Sequence, residues 1–344
     1  MSERKQEEIN AMFKATQASK LEIEEAPKIK KIVTIFDNSL QSHNALTVAS
    51  ELSKRFNATI EVITSDDFYP SFNSLINSTR DKITELLQNA QAALDALDIK
   101  THYHSVFSGR ITRTMSEFDV VLEDESQKLS NKLVDKLVEL EADIVVVGVP
   151  MYKSVDEAEV ELLGSYVTKL LRSNKIHANF LLVSEKTSAI SNSIIAFIEV
   201  NQQPRSLVAL TKRALSVSDS STSLKIVGFV ENKTIETMAS IDDDHAEGDP
   251  MDVPFQKASD KLKEKMKQTL DSLSIHDDID HGSIEKKVKI GSISEILNIA
   301  LSDRKNDLIM VRSLAEFGEN LDPIADQITR LVLAEGFSCL IVWD

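Results

Sequence analysis

Short apolar runs alternate with longer amphipathic stretches along most of this chain. After a first apolar run at 32–36, hydrophobic residues recur at helical spacing, at Ala45, Leu46, Ala49, Leu52 and Phe56. This pattern predicts a buried strand followed by a helix that buries one face. The β-branched run at 144–147 suits a parallel strand covered on both sides. Strands and helices alternate throughout, which predicts α/β units with parallel sheets and right-handed crossovers.

The same order of elements occurs twice, about 160 residues apart. Three pairs of apolar runs correspond: 32–37 with 194–199, 143–148 with 307–312, and 180–183 with 339–342. We therefore expect two α/β domains in tandem, each with a five-stranded, mostly parallel sheet flanked by helices. We also expect paired folds rather than one continuous sheet.

The predicted boundaries follow from composition. Residues 1–27 form a polar N-terminal arm, 28–184 a first domain, 185–193 a small polar linker, and 194–344 a second domain with an acidic insertion at 231–254. The third strand of the first domain has two candidates, 101–107 and 120–122.

Composition narrows the classes of function. The chain has 344 residues and a net charge of −16, which argues against a nucleic-acid partner because phosphate binding needs clustered Lys and Arg. No apolar stretch approaches the ~18 residues of a membrane span. The single cysteine, Cys339, lies in an apolar run, so we interpret it as core packing and exclude an intrachain disulfide. With a polar N-terminus, these features predict a cytoplasmic protein.

In parallel sheets, ligands bind at the carboxyl ends of the strands. At this edge we expect Asp37, Gly148, Gly164 and Ser165. Asp37 offers hydrogen-bond acceptors to a base or ribose, and Gly148 lacks a side chain where a ligand approaches the backbone. Gly164 and Ser165 begin a helix, whose free N–H groups attract anions. The structural alternative is that these residues only cap helices and form turns.

The other polar clusters in the sequence indicate neither a metal site nor a catalytic site. We interpret the His- and Asp-containing segments 242–245 and 276–281 as solvated acidic loops, and the pair His102 and His104 lacks a third ligand. The sequence contains no nucleophile signature, Walker loop or dinucleotide fingerprint. We expect a protein that is not an enzyme and has no metal cofactor.

The residues 37–39, 143–148 and 164–165 together resemble the universal stress protein family, and the resemblance covers both halves from about residue 28. It implies adenine-nucleotide-hydrolase-like domains. ATP-binding members carry a Gly-x2-Gly-x9-Gly-Ser/Thr pattern, which implies ATP or AMP with Asp37 near the base, Gly148 near the ribose, and Gly164 with Ser165 at the phosphates. Here Met151 replaces the second glycine, and twelve residues rather than nine separate Met151 from Gly164.

The second half departs further from this pattern. Alignment of 328–331 with 167–170 places Ala325 and Asp326 on Gly164 and Ser165, and Arg312 replaces Gly148. Two like charges ~4 Å apart cost on the order of 4 kcal/mol at an effective dielectric near 20. A helix N-terminus offers an anion only ~0.3–2 kcal/mol. Unless Arg312 neutralises Asp326, the second half is not expected to bind nucleotide phosphates.

Two hypotheses of function follow. The first is a stress-response regulatory module that binds an adenine nucleotide weakly in the first domain and acts through an unidentified protein partner. The second is a nucleotide-independent interaction or scaffold protein. The family resemblance also implies pairing through the last strand, so we expect 180–183 and 339–343 to meet within one chain as a pseudo-dimer. A homodimer is an additional expectation.

Overall fold

The structure, a computed structural model, describes residues 29–37, 39–65, 88, 92, 101–106, 125–149, 166–173, 175–187, 189, 193–200, 223–241, 252–272, 284–301, 308–313 and 323–343. The strands among them are β1 (Lys31–Ile35), β2 (Thr59–Ser65), β3 (Thr101–Val106), β4 (Ile144–Val149), β5 (Asn179–Ser184), β6 (Ser193–Glu199), β7 (Ser223–Glu231), β8 (Ile284–Gly291), β9 (Leu308–Ser313) and β10 (Ser338–Trp343). The helices are α1 (Leu40–Phe56), α2 (Glu125–Leu140), α3 (Tyr166–Leu171), α4 (Asn232–Ile241), α5 (Asp252–Ser272), α6 (Ile293–Leu301) and α7 (Pro323–Ala334).

All ten strands belong to one sheet, in the order β3-β2-β1-β4-β5-β10-β9-β6-β7-β8. The first five form an N-terminal half in the order 3-2-1-4-5, and β6–β10 repeat that order as a C-terminal half running inward from the other edge. Neighbouring strands within each half are parallel. The α/β fold with two mostly parallel five-stranded halves is therefore confirmed.

The two halves are joined by an antiparallel pairing of β5 with β10, in which Leu181 lies opposite Leu340. The expected intramolecular meeting of the last strands is thus present. The expectation that the two folds would not share a continuous sheet is wrong. Each last strand is apolar on both faces and would otherwise expose an edge of unpaired backbone groups, so pairing the two edges removes both at once.

Two apolar layers cover the sheet. One face buries its side chains against α1, α4 and α5, and the other against α2, α3, α6 and α7. Both layers run across β5 and β10, with Leu181 and Leu340 in one and Leu182 and Ile341 in the other. The hydrophobic effect therefore stabilises the junction between the halves as well as each half.

Several element predictions can be compared with the structure. The segment 101–106 is β3 and pairs with β2, which settles the third strand in favour of the first candidate. The second candidate, 120–122, lies outside the described residues. The acidic insertion contains an unpredicted helix, α4, whose Ile235 is fully buried.

The repeated aspartate before the fourth strand has a structural role in the N-terminal half. Asp143 accepts hydrogen bonds at Oδ2 from the backbone N–H groups of Lys30 (2.7 Å) and Lys31 (2.8 Å). It thereby ties the start of β1 to the start of β4 at the amino edge of the sheet, opposite the edge where ligands are expected. No helix among the described residues is both long and apolar enough to cross a membrane.

Candidate functional site

The strand order reverses direction between β1 and β4. From β1 the chain continues outward to β2 and β3, whereas β4 and β5 lie on its other side. Ile35 is in register with Val147, so Asp37 and Gly148 emerge at the same carboxyl edge of the sheet. Ligands of open α/β sheets bind at such a switch point. The structure therefore brings two of the four predicted site residues together where a ligand site is expected.

Asp37 supports the start of helix α1. Its Oδ1 accepts hydrogen bonds from the backbone N–H (3.0 Å) and the hydroxyl of Ser39. Ser39 is the N-cap residue, and its Oγ accepts a hydrogen bond from the Ser42 N–H at 3.2 Å. The carboxylate thus orients the capping hydroxyl: the N-cap is Ser39, and Asp37, which the structural alternative gave as the cap, supports it. The same half-buried carboxylate stands at the ligand edge.

Gly148 lies within β4, one residue before its end, and is closely covered by the first turn of α1. A Cβ added at Gly148 would overlap the carbonyl carbon and oxygen of Gln41 and lie 2.7 Å from the Ser42 nitrogen. Backbone atoms of a capped helix cannot swing away as a flexible side chain can. The close approach that requires glycine here is therefore made by α1, and contact between Gly148 and a ribose stays a prediction.

The predicted phosphate-binding residues Gly164 and Ser165 lie outside the described residues, as does Met151. The described part of the following helix, α3, begins at Tyr166, next to Ser165. The role of these two residues at nucleotide phosphates therefore stays a prediction.

The corresponding region of the C-terminal half holds an ion pair. Asp326 lies in the first turn of α7 and pairs with Arg330, one turn further along. Their side chains are 28% and 14% exposed, so the pair is partly shielded from water. Arg312 was the cation that the sequence offered to neutralise Asp326, and its side chain lies outside the described residues. The four-residue spacing within one helix was the available signal for Arg330.

Cys339 is fully buried in β10, as the apolar run predicted. Burial raises the pKa of its thiol to about 12, against a weaker opposing effect of the Thr329 hydroxyl. A thiol protonated at neutral pH is a poor nucleophile and metal ligand.

Within the described ranges no group of three or more His, Cys, Asp or Glu side chains is placed to hold a metal ion. The segments 242–245 and 276–281 and the side chains of His102 and His104 fall outside what the structure describes. The prediction that these segments hold no metal stays untested.

The fold defines a tandem α/β protein with one open, mostly parallel sheet. Its structure is similar to those of universal stress proteins. A protein of Pseudomonas aeruginosa described as a universal stress protein matches with a TM-score of 0.53 and 9% identity, over 92% of this chain and 93% of that one. A universal stress protein of Archaeoglobus fulgidus matches with a TM-score of 0.52 and 10% identity, over 91% and 96%.

At this level of identity the similarity is one of fold. No protein-family model and no curated protein matches the sequence. A universal stress protein solved in complex with cAMP aligns with 46% of this chain at a TM-score of 0.31, an overlap that carries no argument about ligands.

Proposed function

We propose that this chain is a universal-stress-type regulatory protein whose N-terminal half binds an adenine nucleotide weakly and whose C-terminal half serves as a built-in pairing partner. The base and ribose lie at the carboxyl ends of β1 and β4, and the phosphates lie at Gly164 and Ser165. The protein responds to stress by binding and conformation rather than by catalysis.

The observation that carries this proposal is the position of Asp37 beside Gly148 at the switch point of the sheet. A carboxylate at this edge accepts hydrogen bonds from the exocyclic amine of a base or from ribose hydroxyls. The C-terminal half has an acid, Glu199, at the position of Asp37, but Arg312 replaces Gly148. At the position of Ser165 it has Asp326, which forms an ion pair with Arg330 at the start of α7. The proposal therefore places nucleotide in one half only.

The alternative is a scaffold protein that binds no nucleotide, and one observation favours it. The backbone of α1 already occupies the space in front of Gly148, and this packing explains the glycine without a ligand. Likewise, Asp37 already supports the cap at Ser39. If both residues serve only α1, the carboxyl edge has no residue reserved for a nucleotide.

Isothermal titration of the full chain with ATP and with AMP separates the two. The regulatory proposal predicts a measurable dissociation constant with one site per chain. Gly164→Asp should abolish the binding by placing a carboxylate at the phosphates, and Asp37→Asn should weaken it. The matched control is Glu199→Gln, because Glu199 is the residue equivalent to Asp37 in the C-terminal half and should leave binding unchanged. Absence of binding to both nucleotides would support the scaffold alternative.

A further inference from the structure

The junction of β5 and β10 has an internal two-fold relation. Sequence equivalence of 180–183 with 339–342 and the observed pairing of Phe180 with Ile341 and Leu182 with Cys339 centre this relation on the Leu181–Leu340 pair. Because of this symmetry, other strand pairings can compete with the pairing of β5 and β10. Two β5 strands from different chains, or two β10 strands, could pair about the same centre, Leu181 or Leu340, with apolar residues opposite each other on both sides of it. The apolar contacts alone do not select the pairing within one chain.

A cluster of polar groups lies at one end of this junction. We call Ser184, Thr187, Gly336 and Ser338 the seam cluster. The Ser184 N–H donates to Ser338 Oγ (3.0 Å), the Ser184 hydroxyl donates to the Gly336 carbonyl (2.6 Å), and the Ser338 hydroxyl donates to Thr187 Oγ1 (2.7 Å). The Thr187 and Ser184 hydroxyl oxygens are 3.0 Å apart. If Thr187 donates to Ser184, every hydroxyl hydrogen is used once, and the network is closed.

The two serines of the seam cluster are buried, and the cluster joins the two halves of the chain. Ser184 is 1% exposed and Ser338 is 4% exposed. A buried donor that loses its partner keeps its desolvation cost, which makes such a network selective for the partner that completes it.

The other end of the junction does not repeat these residues. By the same sequence equivalence, Ser184 corresponds to Trp343, Ser338 to Asn179 and Gly336 to His177. Pairing of two β5 strands would therefore bring Ser184 opposite Asn179 and His177. Pairing of two β10 strands would bring Trp343 opposite Ser338. Only the pairing of β5 with β10 places Ser184, Ser338 and Gly336 at the same end of the junction.

The backbone at Gly336 reinforces this selectivity. Gly336 has a φ of +79° and follows α7, with its N–H donating to the Leu333 carbonyl and the Phe337 N–H donating to the Val332 carbonyl, both at 3.0 Å. This left-handed helix ending favours glycine. It turns the Gly336 carbonyl toward Ser184, and the Lys186 side chain lies 2.9 Å from where a Cβ would stand. A β5–β5 junction would place His177 in this region.

We infer that the seam cluster is a specificity device, which makes the two halves of one chain pair with each other in preference to the same halves of a second chain. The apolar strand faces supply most of the stability of the junction, and the cluster selects the partner by penalising the homotypic pairings. This inference does not depend on nucleotide binding. It predicts that N- and C-terminal halves stay paired with each other after the chain between them is cleaved.

The test uses the full chain with a protease recognition sequence inserted after Ala189, in the linker. The folded protein is cleaved, and native mass spectrometry reports which halves remain paired. Sedimentation velocity over a dilution series gives the dissociation constant of the paired halves. We expect only one-to-one pairs of N- and C-terminal halves. Ser338→Ala leaves the buried Ser184 N–H without its acceptor and should raise the dissociation constant about tenfold or more.

The matched control is Ser50→Ala. Ser50 is also buried, at 1% exposure, but its hydroxyl donates to the Thr47 carbonyl within α1 rather than to a residue of the other half. It should leave the dissociation constant unchanged. Gly336→His combined with Ser338→Asn gives the C-terminal half the residues of the opposite end, so the cluster no longer distinguishes the partners, and homotypic pairs should appear beside heterotypic ones.

Two results would overturn the inference: homotypic and heterotypic pairs in statistical proportion after cleavage of the unsubstituted protein, or an unchanged dissociation constant in Ser338→Ala. Circular dichroism of each uncleaved variant checks that it folds. If the double variant does not fold, Ser184→Ala decides the question through the same dissociation constant, since it removes the hydroxyl bonded to Gly336.

Discussion

Replacing Gly148 with alanine should destabilise the protein whether or not a nucleotide is present. The new methyl group would overlap the Gln41 carbonyl, and α1 cannot retreat without disturbing its cap at Ser39 and its buried stripe. Overpacking of this kind costs ~1–3 kcal/mol. The lower entropy of the unfolded alanine chain returns about 0.4–1 kcal/mol. We therefore expect a net loss of ~1–2 kcal/mol in the free energy of unfolding, from the difference of these two effects.

Gly228→Ala is the matched control, because Gly228 is also a glycine inside a buried strand. Its added Cβ would lie 2.5 Å from the Met266 sulfur and 2.7 Å from Met266 Cγ. Met266 is fully buried, but its unbranched side chain can change rotamer, which the backbone of a helix cannot do, so the cost should be smaller than at Gly148. We expect a change within about 1 kcal/mol.

Urea unfolding, followed by circular dichroism, measures the free energy of unfolding of both variants. The values are compared with the same dependence of free energy on urea concentration for each protein. The reasoning is refuted if Gly148→Ala is as stable as the unsubstituted protein, or if Gly228→Ala loses as much. Loss of nucleotide binding in Gly148→Ala would be attributable to a ligand contact only in molecules shown to be folded.

Further predictions concern Asp143, Cys339 and the pair Asp326 and Arg330. Asp143→Ala removes the acceptor of two backbone N–H groups and should lower the free energy of unfolding by about 1–3 kcal/mol, measured by the same urea titration. Cys339 should resist a thiol reagent at pH 8 in the folded protein and react on unfolding. Because its folded pKa of about 12 exceeds the ordinary 9.0, its contribution to stability is fully present below pH 9 and is lost as pH rises toward 12. A double-mutant cycle of Asp326→Asn and Arg330→Gln should give a coupling of ~0.5–2 kcal/mol, and a cycle with no coupling would show that the ion pair is not formed in solution.

The fold could be predicted from the sequence because its signals are local and repeated. Buried parallel strands such as β4 consist of consecutive β-branched residues, and the helix α1 carries apolar residues at regular spacing. The duplication then doubled each signal, so that a weak strand in one half was supported by its equivalent in the other. Helix α4 was missed because the acidic residues that follow it dominated the segment, although Ile235, Met238 and Ala239 have helical spacing.

The site was less predictable because glycine and aspartate have the same appearance in a sequence whether they serve a ligand or the chain itself. The contact between Gly148 and a ribose stays a prediction, whereas the atoms nearest to a Cβ built at Gly148 belong to Gln41 and Ser42, which lie more than a hundred residues earlier. Likewise, the position of Asp37 near a base stays a prediction, and its carboxylate accepts a hydrogen bond from Ser39. Local spacing does not report which backbone approaches a strand from outside it, so contacts of this kind require the three-dimensional structure.

The two halves differ at the carboxyl edge of the sheet, and this difference is compatible with the structural role of each half. Helix α1 covers Gly148, is capped through Asp37, and donates the Asn44 side-chain N–H to the Glu185 carbonyl at 2.7 Å, just after β5. The carboxyl edge of the N-terminal half is thus connected to the junction through one helix. The C-terminal half provides that junction with β10 and Ser338. Neither contribution requires a ligand-binding edge of its own, so Asp326 and Arg330 can occupy the start of α7 without loss of the pairing.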